Sequence, residues 1–590
     1  MQFTFIVAAT VLILPAFAQQ DPAALFQKNC QVCHQPGSTT RAPLLETIRT
    51  MSPDAILASL ESGSMRAQGA SLTPTGRRTI SQFLGKAENL TAKISGMCQA
   101  TAPANTGVST WNGWGVDDSN TRYQPAAMAR LSAAQVPNLK LKWAFGFPGA
   151  NSAFGQPTII GGKLYLGSQD GTVYALDPKS GCTHWTYKAS ASVRTAIVTG
   201  PNGELYFGDT RGNVYALDSK SGRQLWRMRV DDHPMARVIG GFKLSANRLY
   251  VPVSSGEEVA GGNAKYECCT FRGSLASLDA TTGKLIWKSY AIPDSPKPTR
   301  KNATGTQLFG PAGAAVWVSP TIDHARKIVY IGTGNGYSDP ANKYTDAVIA
   351  FDLETGARKW SQQLTPGDGW NFSCGATIGP NCPQDHGPDV DIGASPILTK
   401  ANGKDVLLVG QKSGVVYALD PAAEGRQLWQ TRIGKGGALG GIQWGMATDG
   451  KTVFVALSDR KLGQWQQEGG VFALDVATGK QVWNTPAPKP GCLGKPNCSA
   501  AQMAAVTLIA GVAFSGSLDG HLRAYATADG KIIWDVDTLR DFETVNGVKA
   551  RGGSISATGL VVVDGMAFIN SGYGAFSGIP GNVLLAFGAE

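Results

Sequence analysis

The sequence predicts an all-β propeller of eight blades, built from Trp-docking repeats, behind a small N-terminal all-α module. Three observations predict it. A Trp-ended phrase recurs through the later part of the chain. Gly is abundant at 73 residues and Trp at 14, which suits many tight turns with bulky side chains docked between strands. The early residues instead place apolar side chains at helical spacing.

The recurring phrase is x-L-D-x-x-x-G-x-x-x-W. It runs from ALDPKSGCTHW (ending at Trp185) through ALDSKSGRQLW (Trp226), SLDATTGKLIW (Trp287), AFDLETGARKW (Trp360), ALDPAAEGRQLW (Trp429) and ALDVATGKQVW (Trp483) to the degraded AYATADGKIIW (Trp534), seven copies in all. Each copy reads as a strand ending in Leu-Asp, a Gly-containing hairpin turn and a second strand carrying the Trp. Another strand pair, such as KLYLGSQDGTVYAL, precedes each copy. Four antiparallel strands per unit, repeated radially, make a propeller. An eighth unit is assembled from both ends: NVLLAFG lacks a Trp partner, and LKLKWAFGF around Trp143 lacks a strand before it. Pairing them closes the ring and removes two exposed edges. Most of these Trp residues are structural wedges.

Between about Asp21 and Leu84 the sequence reads as short helices: DPAALFQKNC, SPDAILASLESG with Ser52 as N-cap, and TPTGRRTISQFL. Residues 86–108, rich in Ala, Thr, Ser and Gly, read as a linker. Within the helical module lies Cys30-Gln31-Val32-Cys33-His34. C-x-x-C-H supplies two thiols and one imidazole from a single turn, the attachment signal of c-type haem. Cys30 and Cys33 are the expected thioether attachment points and His34 the proximal ligand, which makes residues 19–85 a cytochrome c domain. A zinc site would need a second Cys/His pair, and the module has none. The sixth ligand should be a soft donor. Met65, in the loop before the last helix where small cytochromes c present this residue, is preferred to Met51, which stands at a helix start.

Residues 1–18 form an apolar stretch ending in Ala16-Phe17-Ala18, read as a signal peptide with the mature chain starting near Gln19. It is shorter than a membrane span, and no later segment is apolar enough to cross one. The expected location is therefore the periplasm. Beyond the haem box, eight cysteines form an even set, as an oxidising compartment allows. Cys268 with Cys269, Cys374 with Cys382 and Cys492 with Cys498 suggest themselves by proximity, and Cys98 with Cys182 follows by elimination. The net charge of +10 is dispersed, which gives a nucleic-acid partner no support.

A haem module joined to an eight-bladed propeller resembles the pyrroloquinoline-quinone (PQQ) dependent alcohol dehydrogenases. The resemblance covers nearly all of 105–590, and residues 109–590 are the expected PQQ-binding domain. WNGWGVDDSNTRYQPA from Trp111 is similar to the family's entry phrase. In VPVSSGEE, Glu258 falls where the family keeps a carboxylate Ca²⁺ ligand. In WVSPTIDHARKIVYIGTGN, Trp317 falls where an indole stacks under the quinone and Asn335 where an amide ligates Ca²⁺. Lys412 in VGQKSGVVYALD matches a cation beside the quinone carbonyls, and Arg194 in SVRTAIV lies near a clamp for the quinone carboxylates. The family's catalytic Asp follows a Trp directly, whereas here Asn371 follows Trp370 and an insertion with Cys374 and Cys382 intervenes. Asp391 in GPDVDIGASP restores the register and is the nominated base and third Ca²⁺ ligand, with Asp389 in reserve. The vicinal Cys268-Cys269 pair, capping the quinone in an earlier blade of many relatives, here lies in YECCTFRG. That motif and the N-terminal haem look most like the polyvinyl alcohol dehydrogenase branch.

The residue types fit that chemistry. A hard cation held by Glu258, Asn335 and Asp391 polarises a quinone carbonyl, Asp391 takes the alcohol proton, and Lys412 stabilises the oxyanion. The expected function is PQQ- and Ca²⁺-dependent oxidation of secondary alcohols to ketones, with electrons passing to the covalent haem and then to an external cytochrome c or other periplasmic acceptor. The alternatives are a dehydrogenase for small alcohols or sugars, and a non-catalytic propeller with an electron-transfer haem.

Overall fold

A computed structural model describes residues 21–36, 42–49, 51, 53–61, 65–85, 95–99, 109–375, 377–460, 467–576 and 578–589. The signal-peptide and Ser52 readings, and most of the linker, lie outside the described residues.

The N-terminal module contains the helices Pro22–Asn29, Leu45–Ile48, Pro53–Glu61, Arg66–Gly69 and Pro74–Leu84. Three start at a proline whose missing N–H loses nothing in a first turn. Asp21 caps the first by accepting the Ala23 amide, and Thr73 caps the last by accepting the Gly76 amide. Phe26, Ile48, Met51, Ile56, Leu60, Leu72, Ile80 and Leu84 form their common core.

The remainder is an eight-bladed propeller of seven four-stranded sheets and one with five. In the closing blade, the N-terminal strand Lys140–Gly146 pairs antiparallel with the C-terminal strand Val583–Gly588, with Trp143 opposite Ala586. Thus the last blade takes one strand from each end of the ring's sequence, as the orphan half-repeats predict.

The Trp phrase has a steric explanation. In each repeat the turn glycine is left-handed and receives the preceding blade's Trp: a Cβ on Gly222 would lie 2.6 Å from Trp185, and one on Gly479 2.5 Å from Trp429. In five of the seven contacts the indole N–H also donates to the same neighbouring turn, as Trp185 does to the Ser219 carbonyl at 3.0 Å and Trp483 to the Thr527 carbonyl at 2.8 Å. Glycine and Trp are therefore the two halves of one inter-blade contact. Trp534 meets no such turn, because the eighth repeat lacks the phrase, and packs edge-on against Phe587 at 5.4 Å between ring centroids.

All four expected disulfides are formed. Cys98–Cys182 staples the middle of the linker to the first blade, where the Cys98 amide donates to the Thr183 carbonyl at 3.0 Å. Among the described residues no helix is long and apolar enough to cross a membrane.

Candidate functional site

In an antiparallel blade the start of the first strand and the end of the second lie on the same face. The nominated residues occupy those places. Arg194 precedes the strand Val198–Thr199 and Trp317 the strand Thr321–Asp323. Asn335 follows Ile328–Gly332, Asp391 precedes Ile397–Ala401, and Lys412 follows Lys404–Gly410. Glu258 sits on the short helix Glu257–Ala260 that follows Arg248–Ser255. One rim of the ring thus collects residues spread over more than two hundred positions.

Lys412 is the centre of this rim. Its ammonium donates to Asp389 Oδ1 at 2.7 Å and to Asp391 Oδ2 at 3.1 Å, with all three side chains nearly buried. Burial alone would lower the Lys412 pKa, but Asp389, Asp391 and Glu258 together raise it above the ordinary lysine value. Asp391 Oδ2 also accepts the Trp317 indole N–H at 3.2 Å, and its Oδ1 accepts the Asn335 amide at 2.8 Å. The Lys412 amide in turn donates to the Asp391 carbonyl at 3.0 Å, so backbone and side chain fix the same pairing. The structure therefore brings together Trp317, Asn335, Asp389, Asp391 and Lys412, with Glu258 electrostatically coupled to them.

The donor types here, carboxylates and an amide oxygen, suit a hard divalent cation, although among the described residues no three His, Cys, Asp or Glu side chains are grouped closely enough to hold one. Asn335 spends its side-chain N–H groups on the Gly336 carbonyl at 2.9 Å and the Trp370 carbonyl at 2.7 Å, leaving Oδ1 as its acceptor. The Lys412 ammonium faces Asp389, Asp391 and Glu258 in a desolvated place, an acidic setting that Ca²⁺ would suit. The position after Trp370 does no such work. Asn371 donates to the Tyr337 and Asn381 carbonyls at 3.0 Å each and accepts the Ser373 amide, tying down the Cys374–Cys382 loop.

Arg194 lies with its guanidinium carbon 4.4 Å from the centroid of Trp444 and donates to the Tyr573 hydroxyl at 3.0 Å. Trp444 also meets Trp317 edge-on at 5.1 Å. The wall between Arg194 and Trp317 is therefore aromatic and cationic, suited to a flat anionic ring such as PQQ. Trp444 was legible: it stands three residues before the strand Ala447–Thr448, as Trp317 and Arg194 stand four before theirs.

Cys268 and Cys269 are buried beside Tyr337, in a cluster against which Trp317 packs. What holds them is Glu257, which sequence reasoning passed over for its neighbour Glu258. Fully buried, Glu257 accepts the Thr270 amide at 2.9 Å, the Phe271 amide at 2.7 Å and the Tyr266 hydroxyl at 3.0 Å. Its carboxylate ties the Cys268-Cys269 loop to the helix bearing Glu258.

In the helical module neither Cys30 nor Cys33 is part of a disulfide. His34 is buried, which lowers its pKa, and its Nδ1 lies 2.7 Å from the Pro43 carbonyl. A carbonyl only accepts, so Nδ1 carries the proton and Nε2 keeps the lone pair needed by an axial ligand. Met65 is partly buried against the same core as Cys30, and Met51 is within it. The site fits a covalently held haem.

Known proteins agree with this picture. A family model described as outer membrane protein assembly factor BamB (PQQ_2) matches residues 129–365 and 412–566, and one for cytochrome C oxidase, cbb3-type, subunit III matches 17–84. The polyvinylalcohol dehydrogenase of a Pseudomonas sp is 38% identical over 97% of this chain and 94% of its own. That of Sphingopyxis sp. (strain 113P3) is 39% identical over 97% and 93%. In fold, the chain is similar to the quinohemoprotein alcohol dehydrogenase of Comamonas testosteroni, with a TM-score of 0.61 at 19% identity over 82% of this chain and 81% of that one. A cytochrome c domain, an eight-bladed ring and this central constellation on one chain, with full-length similarity to those enzymes, place it: the chain belongs to the polyvinylalcohol dehydrogenase family of quinohaemoprotein alcohol dehydrogenases.

Proposed function

We propose that the chain oxidises secondary alcohol groups, of the kind polyvinyl alcohol carries, to ketones in the periplasm. The observation that carries this reading is the Lys412–Asp391–Trp317–Asn335 constellation at the rim. Full-length similarity to two polyvinylalcohol dehydrogenases supports the substrate class. Bound PQQ supplies the hydride acceptor, and bound haem c the one-electron outlet. Glu258, the Asn335 Oδ1 and Asp391 are the residues that would hold Ca²⁺.

Asp391 accepts the hydroxyl proton of the alcohol as its carbinol hydride departs. Held by the Asn335 amide, the Trp317 indole and Lys412, it presents its remaining lone pairs in a fixed direction. Lys412 stays charged throughout, because three carboxylates hold its proton, and it steadies negative charge developing beside it. Arg194 and Trp444 are the residues that would hold the acidic groups of PQQ, with the buried Cys268-Cys269 loop beside them.

The test is a spectrum. With PQQ and Ca²⁺ loaded, adding a secondary alcohol to the purified enzyme should develop the reduced haem c band, and short polyvinyl alcohol chains should do so at lower concentration than 2-propanol. A haem that alcohols never reduce under those conditions would leave an electron-transfer scaffold, and preference for primary alcohols or sugars would move the chain to another substrate class.

A further inference from the structure

The helix Arg66–Gly69 of the haem module packs against the propeller helix Glu257–Ala260. Its first residue, Arg66, donates from its guanidinium to the Pro234 carbonyl. Met65, the expected axial ligand, is the N-cap of that same short helix. The contact therefore joins the Met65 side of the module to the helix that carries Glu258.

The receiving surface is rigid. Asp231 Oδ1 accepts the His233 amide at 2.8 Å, and the Met235 amide donates to His233 Nδ1 at 3.2 Å. Arg229 clamps the turn from below, donating to the Asp231 carbonyl at 2.8 Å and the His233 carbonyl at 3.0 Å. On its other side His233 Nε2 lies 3.0 Å from Thr270 Oγ1 and 3.6 Å from Glu257 Oε1. Glu257 is the carboxylate that fixes the Cys268-Cys269 loop. A chain of direct contacts thus runs from Arg66 through the Pro234 turn to the loop beside the site.

Two further features point the same way. Arg66 is partly desolvated and approaches Arg211 and Arg229, which with burial holds its pKa below the ordinary value. A third arginine placed there is repelled, so its carbonyl acceptor must offset the repulsion. The tether is also short. Residues 86–94 span from the last helix to a segment stapled to the first blade by Cys98–Cys182, a reach of about 35 Å when extended. That holds the module at high effective concentration over the ring.

We propose that the turn 231–236 and the helix Glu257–Ala260 form the docking seat of the haem module, engaged by Arg66, and that electrons leave the propeller through the Met65 edge docked there. The proposal rests on the reading under Proposed function. Each alcohol oxidised to a ketone yields two electrons and two protons. The electrons pass singly to the one haem, ferric to ferrous, and onward to the external acceptor, while the protons go to solvent.

Arg66→Ala in the full-length enzyme tests it. Hydrogen exchange, which needs no loaded cofactor, should speed up about tenfold at the amides of His233, Met235, Ala236 and 257–262, the loss of one charge-assisted hydrogen bond. In the PQQ-loaded protein, stopped-flow reduction of the haem by alcohol should slow by a similar factor. Turnover with a dye that takes electrons directly from the quinone should not change, and Arg66→Lys should recover part of the haem rate. Unchanged exchange and unchanged haem reduction would overturn the seat, as would dye turnover and haem reduction falling together. If the wild type reduces neither dye nor haem with any alcohol, the proposed function fails, and the exchange result alone decides the docking.

Discussion

Two groups of buried carboxylates sit next to each other between the fourth and fifth blades, and they meet the cost of burial in opposite ways. Asp389 and Asp391 share the Lys412 ammonium, and Asp391 takes two further hydrogen bonds. Asp346 is also fully buried, but neither of its carboxylate oxygens has a hydrogen-bond partner among the described residues. Burial first, and then the charges of Asp368, Asp391 and Asp389, push its pKa well above the usual carboxylate range. Asp368 is likewise raised, chiefly by burial, although it accepts the Asp389 and Val390 amides. One cluster is answered by the Lys412 cation, while in the other burial and neighbouring carboxylates favour the protonated form.

The sharpest way to break this contrast is to remove the cation. Lys412→Met leaves Asp389 and Asp391 buried without their partner, a loss of about 3–5 kcal/mol for a broken buried pair. Denaturant unfolding should register that loss, and alcohol-dependent haem reduction should fall to background. Asp391→Asn keeps the shape but removes the base. It should lower kcat by about 10²–10⁴-fold while leaving the fold closer to wild type than Lys412→Met does, and activity retained in Asp391→Asn would move the base to Asp389. A third variant acts one step outside the cluster. Glu257→Gln keeps one acceptor for the Thr270 and Phe271 amides but loses the charge, which should cost about 1–3 kcal/mol and weaken Ca²⁺ binding to the PQQ-free protein in a calorimetric titration, because Glu258 rides on the same helix.

The ring was legible because its repeat is a steric device: a left-handed glycine and the indole that fills the space above it recur in register, and the eighth blade announced itself by two halves with nothing to pair. The haem box and the four disulfides were equally plain, each resting on covalent chemistry at short spacing or on an even count. The rim was legible only where a residue stands at a fixed offset from a strand. Lys412 and Asn335 follow second strands, and Trp444 stands just ahead of a first strand as Trp317 does, within one residue of the same offset. Glu257 and Asp346 could not. Glu257 is defined by amides more than ten residues away, and Asp346 by what is missing around it. Neither property has a sequence pattern: Glu257 acts within one long connection between paired strands, and Asp346 lies where two blades meet. The Arg66 contact is of the same kind, joining positions 168 residues apart.

The smallest effect tests the neutral acid itself. Because the folded pKa of Asp346 is raised above its unfolded value, its contribution to stability is fully present below the unfolded pKa and is lost as pH rises towards the folded one. Over that window each pH unit removes up to about 1.4 kcal/mol. Asn at this position does not titrate, but its buried amide also lacks partners, a cost of about 1–3 kcal/mol at every pH. Asp346→Asn should therefore be less stable than wild type near pH 4, and the gap should narrow as the pH rises. Denaturant unfolding of both proteins across pH 4 to 8 measures the change. A difference that stays flat over that range would mean that Asp346 is ionised in the folded protein, and the contrast with the Lys412 cluster would then disappear.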